Sequence, residues 1–141
     1  DMCGGFSVLK DVYKTKVYEL CKWRNKAWEA RFLGPKGEVI PAAIIDKVPS
    51  AELRPDQSDQ DNLPPYDELD DILNCLIEQE LSNSEIMDKG HSEALVKRVR
   101  SLLYLAEYKR RQGPPGVKIT GRAFGRDRRY PITNGYLRLD N

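Results

Sequence analysis

PYDELDDILNCLI, residues 65–77, is the stretch that decides the fold. Leu69, Ile72, Leu73, Leu76 and Ile77 fall at the three- and four-residue spacing that gathers apolar side chains on one face of an α-helix. Pro65 stands just ahead of the first turn, where its missing amide hydrogen costs nothing. Asp67, Glu68, Asp70 and Asp71 put negative charge near the positive end of the helix dipole. Downstream, Ser82-Asn83-Ser84 breaks the pattern, and Ser84 is placed to cap a short turn containing Ile86 and Met87. Ser92 caps a last helix with the stripe Leu95, Val99, Leu102, Leu103 and Ala106, which ends at Gly113-Pro114-Pro115-Gly116.

Upstream, Val12, Val17, Leu20, Cys21 and Arg24 predict a helix over residues 11–25. Gly34-Pro35-Lys36-Gly37 predicts a turn, and Pro41 the start of a short helix carrying Ala42, Ile44 and Ile45. Residues 49–65 follow no period and read as a long loop, a feature that is usually functional or disordered, with Leu53 and Leu63 as apolar anchors arguing against disorder. Trp23 and Trp28 read as core or interface packing rather than a stacking platform. Only residues 117–120 and 136–139 have any strand character. The expected fold of this chain is therefore mainly α, with three longer helices, short ones and long loops.

At 141 residues the chain fits one domain. Its 23 lysines and arginines nearly balance 22 acids, but the balance hides an asymmetry. Residues 46–93 hold fourteen acids against three bases, and residues 94–141 twelve bases against three acids. The basic half peaks at YKRRQGPPGVKITGRAFGRDRRYPITNGY, residues 108–136, where six arginines and two lysines face one acid, Asp127. A stretch that basic is built to meet an anion: a nucleic-acid backbone, a membrane, a protein partner or a nucleotide phosphate. No apolar run approaches the ~18 to 20 residues that span a bilayer, and no signal peptide opens the chain, so it reads as soluble and cytoplasmic. Cys3, Cys21 and Cys75 lack C-x-x-C spacing and His91 is the only histidine, so neither a metal centre nor a disulfide framework is expected. Opening at Asp1 and running at once into Cys3-Gly4-Gly5, the chain reads as a piece cut from a larger protein.

Three segments, in order, carry a resemblance: DMCGGFSVLKDVYKTKVYELCKWRN at the start, PSAELRPDQSDQDNLPPYDELDDIL in the middle, and EYKRRQGPPGVKITGRAFGRDRRYPITNGY at the end. Together they resemble the C-terminal part of the synthetase domain of the glutamine-dependent NAD synthetases, whose ATP-pyrophosphatase domain is a Rossmann-like α/β fold. The resemblance implies that residues 1–141 are the last part of such a domain, with a mobile active-site loop at 49–65 and a basic tail at 109–141. In that family ATP adenylates the carboxylate of deamido-NAD, and ammonia from a separate glutaminase domain displaces AMP to form the amide of NAD. The family's S-G-G-x-D-S phosphate loop and the glutaminase domain are not in this sequence, so the chain alone is expected to be inactive.

By the same resemblance Lys14 contacts ATP phosphate, as a point charge on a flexible stem would; taken by itself it reads as a solvated lysine. Ser50 falls at a position, usually threonine, that bonds ATP through its hydroxyl; by itself it reads as a turn residue. Lys109 matches a lysine that contacts deamido-NAD, although a cation at a helix C-terminus is favoured by the dipole in any case. Gly4 and Gly5 would let backbone approach substrate; an aspartate of the ammonia-dependent relatives falls near Gly5 and is missing here. Arg110 and Arg111 read as partners in salt bridges or near phosphate. Asp56, Asp59 and Asp61 read as solvated carboxylates, so Mg2+ and most of the ATP would be held outside these residues, and no catalytic residue is assigned. The implied partners are deamido-NAD, ammonia and further copies of the chain, with no membrane and no nucleic acid. A nucleic-acid-binding helical module with an arginine-rich tail is the competing reading.

Overall fold

The computed structural model describes residues 4–49, 59, 63–133 and 135. Six helices make up the regular structure among them: α1 (Lys14–Lys26), α2 (Ala42–Ile45), α3 (Tyr66–Ile77), α4 (Asn83–Asp88), α5 (Glu93–Leu105) and α6 (Glu107–Gln112). No strand forms among the described residues, and one isolated parallel bridge joins Ser7 to Gly116. The chain divides into two compact units, Tyr13–Asp67 and a discontinuous one made of Asp1–Val12 with Glu68–Asn141.

The apolar core lies in the discontinuous unit. Leu69, Ile72, Cys75, Leu76 and Ile77 of α3 are buried, with Ile86 of α4 and Val96, Val99 and Leu103 of α5. Burying each large aliphatic side chain contributes about 1.5–3 kcal/mol. The α3 stripe is as its spacing predicts, with Leu73 half-buried. The α5 stripe turns slightly from expectation: Val96 is fully buried, whereas Leu95 and Leu102 are only partly covered. His91 Nε2 and Asp71 Oδ2 stand 2.7 Å apart, tying the turn before α5 to α3.

Three local expectations are corrected. The cap of α4 is Ser82, not Ser84: its Oγ accepts from the Glu85 amide at 3.4 Å, and the Glu85 carboxylate accepts from the Ser82 amide at 2.8 Å. This reciprocal box needs an acceptor three residues after the cap. Ser82 has Glu85 there; Ser84 would have Met87. The last helix does not run unbroken to Gly113 but ends at Ala106 and restarts as α6. Arg110 donates to the Leu103 carbonyl at 2.8 Å, satisfying by a side chain an oxygen that a continuous helix would pair with backbone. The first helix begins at Lys14 rather than Asp11, because residues 9–12 form a turn closed by the Val12 amide on the Leu9 carbonyl at 3.1 Å.

In the Tyr13–Asp67 unit, α1 contributes no fully buried residue. Asn25 holds the loop that follows: its Oδ1 accepts from the amides of Val39 and Ile40, both at 3.0 Å, and its Nδ2 donates to the Ile40 carbonyl at 2.7 Å. Trp23 and Trp28 are 50% and 42% exposed, so neither is a core residue. Trp23 instead meets Phe32 edge-on, with ring centroids 5.7 Å apart, and the Trp28 indole N–H reaches the Gly34 carbonyl at 3.5 Å.

Candidate functional site

Lys14 opens α1, where no acidic side chain occupies the first turn and Tyr13 offers no side-chain cap. Its ammonium stands 5.8 Å from the centroids of both Tyr18 and Tyr66, within cation–π range. It also lines a hollow of about 350 Å3, together with Val17, Tyr18 and Cys21 from α1 and with Ile44, Ile45, Lys47, Val48 and Asp59. Asp59 accepts the Tyr66 hydroxyl. Burial pushes the Tyr18 phenol above its ordinary range, and the Asp59 charge pushes it further in that direction. The hollow therefore joins an apolar wall to a lysine, which suits a ligand with a flat apolar part and an anionic part. Ser50 and most of the 49–65 loop lie outside the described residues.

Lys109 sits in α6, exposed, with its ammonium 6.0 Å from the Tyr108 ring centroid. The helix that carries it is fixed from beneath by Glu107, whose side chain is 2% exposed and pairs with Arg110 at 2.6 Å and Arg111 at 2.9 Å. Burial alone would raise the Glu107 carboxyl, but the hydrogen bonds from Arg111 and Arg110 more than offset this and leave it below the ordinary range. Arg111 also donates to the Tyr130 carbonyl at 3.1 Å, drawing the tail back onto α6. Gly4 and Gly5 are exposed, with open space where a side chain would begin, and Gly4 has a φ of 139° that only glycine adopts freely. The segment they lead into runs beside the tail: the Ser7 amide donates to the Pro115 carbonyl at 2.8 Å.

Asp11 and Lys10 organise that tail, and neither was singled out from the sequence. Asp11 is 6% exposed; its Oδ2 accepts from the amides of Ile119 (2.8 Å) and Thr120 (2.9 Å) and from the Thr120 hydroxyl (2.8 Å), and its Oδ1 from the Phe124 amide (2.8 Å). Burial raises its pKa, but these bonds from Thr120, Ile119 and Phe124 win and hold it below the ordinary value. Lys10 threads its stem between glycines and donates to the Pro114 carbonyl at 2.6 Å. A Cβ on Gly116 would stand 2.3 Å from the Ser7 carbonyl oxygen and 2.7 Å from Lys10 Cβ, and one on Gly125 would stand 2.9 Å from Lys10 Cε. Their partners lie more than a hundred positions away, so no local pattern in the sequence marks either residue.

Much of the tail's positive charge is thus answered within the chain. Arg110 and Arg111 pair with Glu107, Lys118 with Asp127 at 2.5 Å, and Arg122 with Glu80 of the acidic middle. Arg128 lies 4.9 Å over the Tyr130 ring. Among the described residues no helix is long and apolar enough to cross a membrane, and no group of three histidines, cysteines or carboxylates is disposed to hold a metal ion.

Comparison with known proteins adds the family. The model of the NAD synthase family matches residues 1–113. A glutamine-dependent NAD(+) synthetase of Rhodobacter capsulatus is 54% identical over 134 residues, which cover 95% of this chain and 24% of that protein. One of Acinetobacter baylyi is 54% identical over 136 residues, covering 96% of the chain and 24% of the relative. Among solved structures, glutamine-dependent NAD+ synthetase from Acinetobacter baumannii in complex with ADP matches with 45% identity and a TM-score of 0.50, over 96% of this chain and 22% of that one. The chain spans about a quarter of the length of the curated relatives it matches.

Proposed function

The chain belongs to the NAD synthase family, and from that premise we propose that it is the C-terminal part, residues 1–141, of the synthetase domain of a glutamine-dependent NAD synthetase with a Rossmann-like α/β core. The parent protein would use ATP to adenylate the carboxylate of deamido-NAD, and ammonia released from glutamine would displace AMP to give NAD. Lys14 serves as the ATP contact, its charge lining a hollow shared by α1 and the segment around Ile44 and Val48. Ser50 adds a hydroxyl to ATP, and the 49–65 loop covers the reacting groups and keeps water from the acyl-adenylate. Lys109 contacts deamido-NAD from a helix that the buried Glu107 holds rigid, and Gly4 and Gly5 let backbone pass close to the same substrate.

The observation that carries this reading is the identity with full-length NAD synthetases along nearly the whole chain, Lys14 and Lys109 included in the aligned span. Mg2+ would accompany ATP, on ligands held largely by other parts of the parent protein, and no step is assigned to it. The internal pairing of Arg110, Arg111, Arg122 and Lys118 weighs against a polymer-binding arm, since a cation already matched releases fewer counterions on meeting phosphate. Incubating the parent protein with deamido-NAD, ATP and glutamine should give NAD, AMP and pyrophosphate in equal amounts. Product without ATP consumption, or ATP cleaved to ADP and phosphate, would contradict the proposal.

A further inference from the structure

A second hollow, separate in composition from the one at Lys14, lies entirely within the discontinuous unit. It encloses about 770 Å3, within the size range of small-molecule sites. Six cations line it, Lys10, Arg110, Arg111, Lys118, Arg126 and Arg129, against two carboxylates, Asp11 and Asp127. Both carboxylates are already engaged. Asp11 accepts four hydrogen bonds from the 119–124 turn, and Asp127 accepts from Lys118 and from the Ala123 amide at 2.8 Å. Arg110 and Arg111 are matched by Glu107.

Three cations of the lining are left over. No described carboxylate stands within ion-pair distance of Lys10, Arg126 or Arg129. Arg126 and Arg129 are exposed, and among the described residues the only hydrogen bond at Arg129 is from its Nε to the Arg126 carbonyl at 3.2 Å. Lys10 is different, because its position is built. Its stem passes so close to Gly113, Gly116 and Gly125 that a side chain at the latter two would collide with it. Its ammonium has three donors and, among the described residues, one hydrogen-bond partner, Pro114 O. A lysine held in a glycine sleeve at the lining of a cavity that also carries Arg126 and Arg129, none of the three in an ion pair among the described residues, supplies the donors that recognise phosphoryl oxygens.

We propose that this hollow binds a diphosphate-bearing anion, with Lys10 as the fixed point charge and Arg126 and Arg129 as the groups that close on the oxygens. The site is distinct from the ATP hollow at Lys14 and does not depend on the reading of that hollow. Calorimetric titration of the 141-residue chain at low ionic strength, with inorganic pyrophosphate as the probe, tests it in a Lys14→Ala background that removes the other candidate cation. Pyrophosphate should bind there, and adding Arg126→Glu with Arg129→Glu should weaken it at least tenfold while thermal unfolding and circular dichroism stay unchanged. Lys10→Met should weaken it as well; the two surface variants keep the test sound if that change loosens the tail. ADP binding no better than pyrophosphate identifies a free diphosphate as the ligand, and ADP binding tenfold more tightly identifies a nucleotide; either supports the site. No binding in the Lys14→Ala chain, or an affinity that the arginine reversals leave unchanged, would overturn it. Neither of those outcomes would touch the proposed amidation, which stands or falls on product formation.

Discussion

Asp11 and Lys10 are adjacent in sequence and fasten different parts of the basic tail, one by accepting amides of residues 119–124 and one by filling a glycine-lined groove. Asp11→Asn removes an anion from four donors and leaves an amide group where only acceptors fit, a cost of about 2–3 kcal/mol on the scale of stranded buried donors. The pH dependence follows from the lowered pKa. A carboxylate whose folded pKa lies below its unfolded value of 3.8 contributes stability that is complete above that value and is lost as pH falls through the folded one. Denaturant titrations at pH 7 and 5 should therefore agree for this residue's contribution, and the gap between wild type and Asp11→Asn should narrow below pH 4. A constant gap down to pH 2 would assign the effect to shape rather than charge. At this scale the sequence was only partly legible. Lys14 and Lys109 are proposed through resemblance alone, whereas Asp11 looked like one acid in the start of a helix, since partners more than a hundred positions away leave no periodic trace.

Elements were more legible where their own spacing decides them. The α3 stripe reads directly because five apolar residues on one face have a single way to be buried. The break between α5 and α6 did not read, because it depends on Arg110 reaching back to the Leu103 carbonyl and on Glu107 being turned inward. A buried acid shared by two arginines is costly to disturb from one side. Glu107→Gln should destabilise the chain by about 3 kcal/mol, and amide hydrogen exchange should quicken in residues 107–112 before it quickens in α3. Equal protection of α6 in both proteins would show that the pair does not hold that helix. Ser82 was misjudged in favour of Ser84 for a local reason: the box is set by where Glu85 lies, not by the serine nearest to Ile86 and Met87.

At the scale of the whole molecule, the charge asymmetry that first suggested a polymer-binding arm resolves into internal pairing plus a few unmatched cations. Arg122 with Glu80 is a direct link between the basic tail and the acidic middle. Class and family were legible throughout, since helical periodicity and three ordered segments both survive in a chain that spans about a quarter of its relatives. The loop at 49–65 and its Ser50 remained an inference from resemblance, because aperiodic sequence specifies no local structure from which to reason. The proposed chemistry gives Lys14 and Lys109 two different substrates of one amide-forming reaction. The measurement that tests this most directly is the steady-state kinetics of the parent protein with Lys14→Ala and Lys109→Ala, varying ATP and deamido-NAD in turn. With Lys14→Ala, kcat/KM for ATP should fall at least a hundredfold, with Lys109→Ala kcat/KM for deamido-NAD should fall as far, and glutamine hydrolysis itself should persist in both. Kinetics unchanged in the two variants would contradict it.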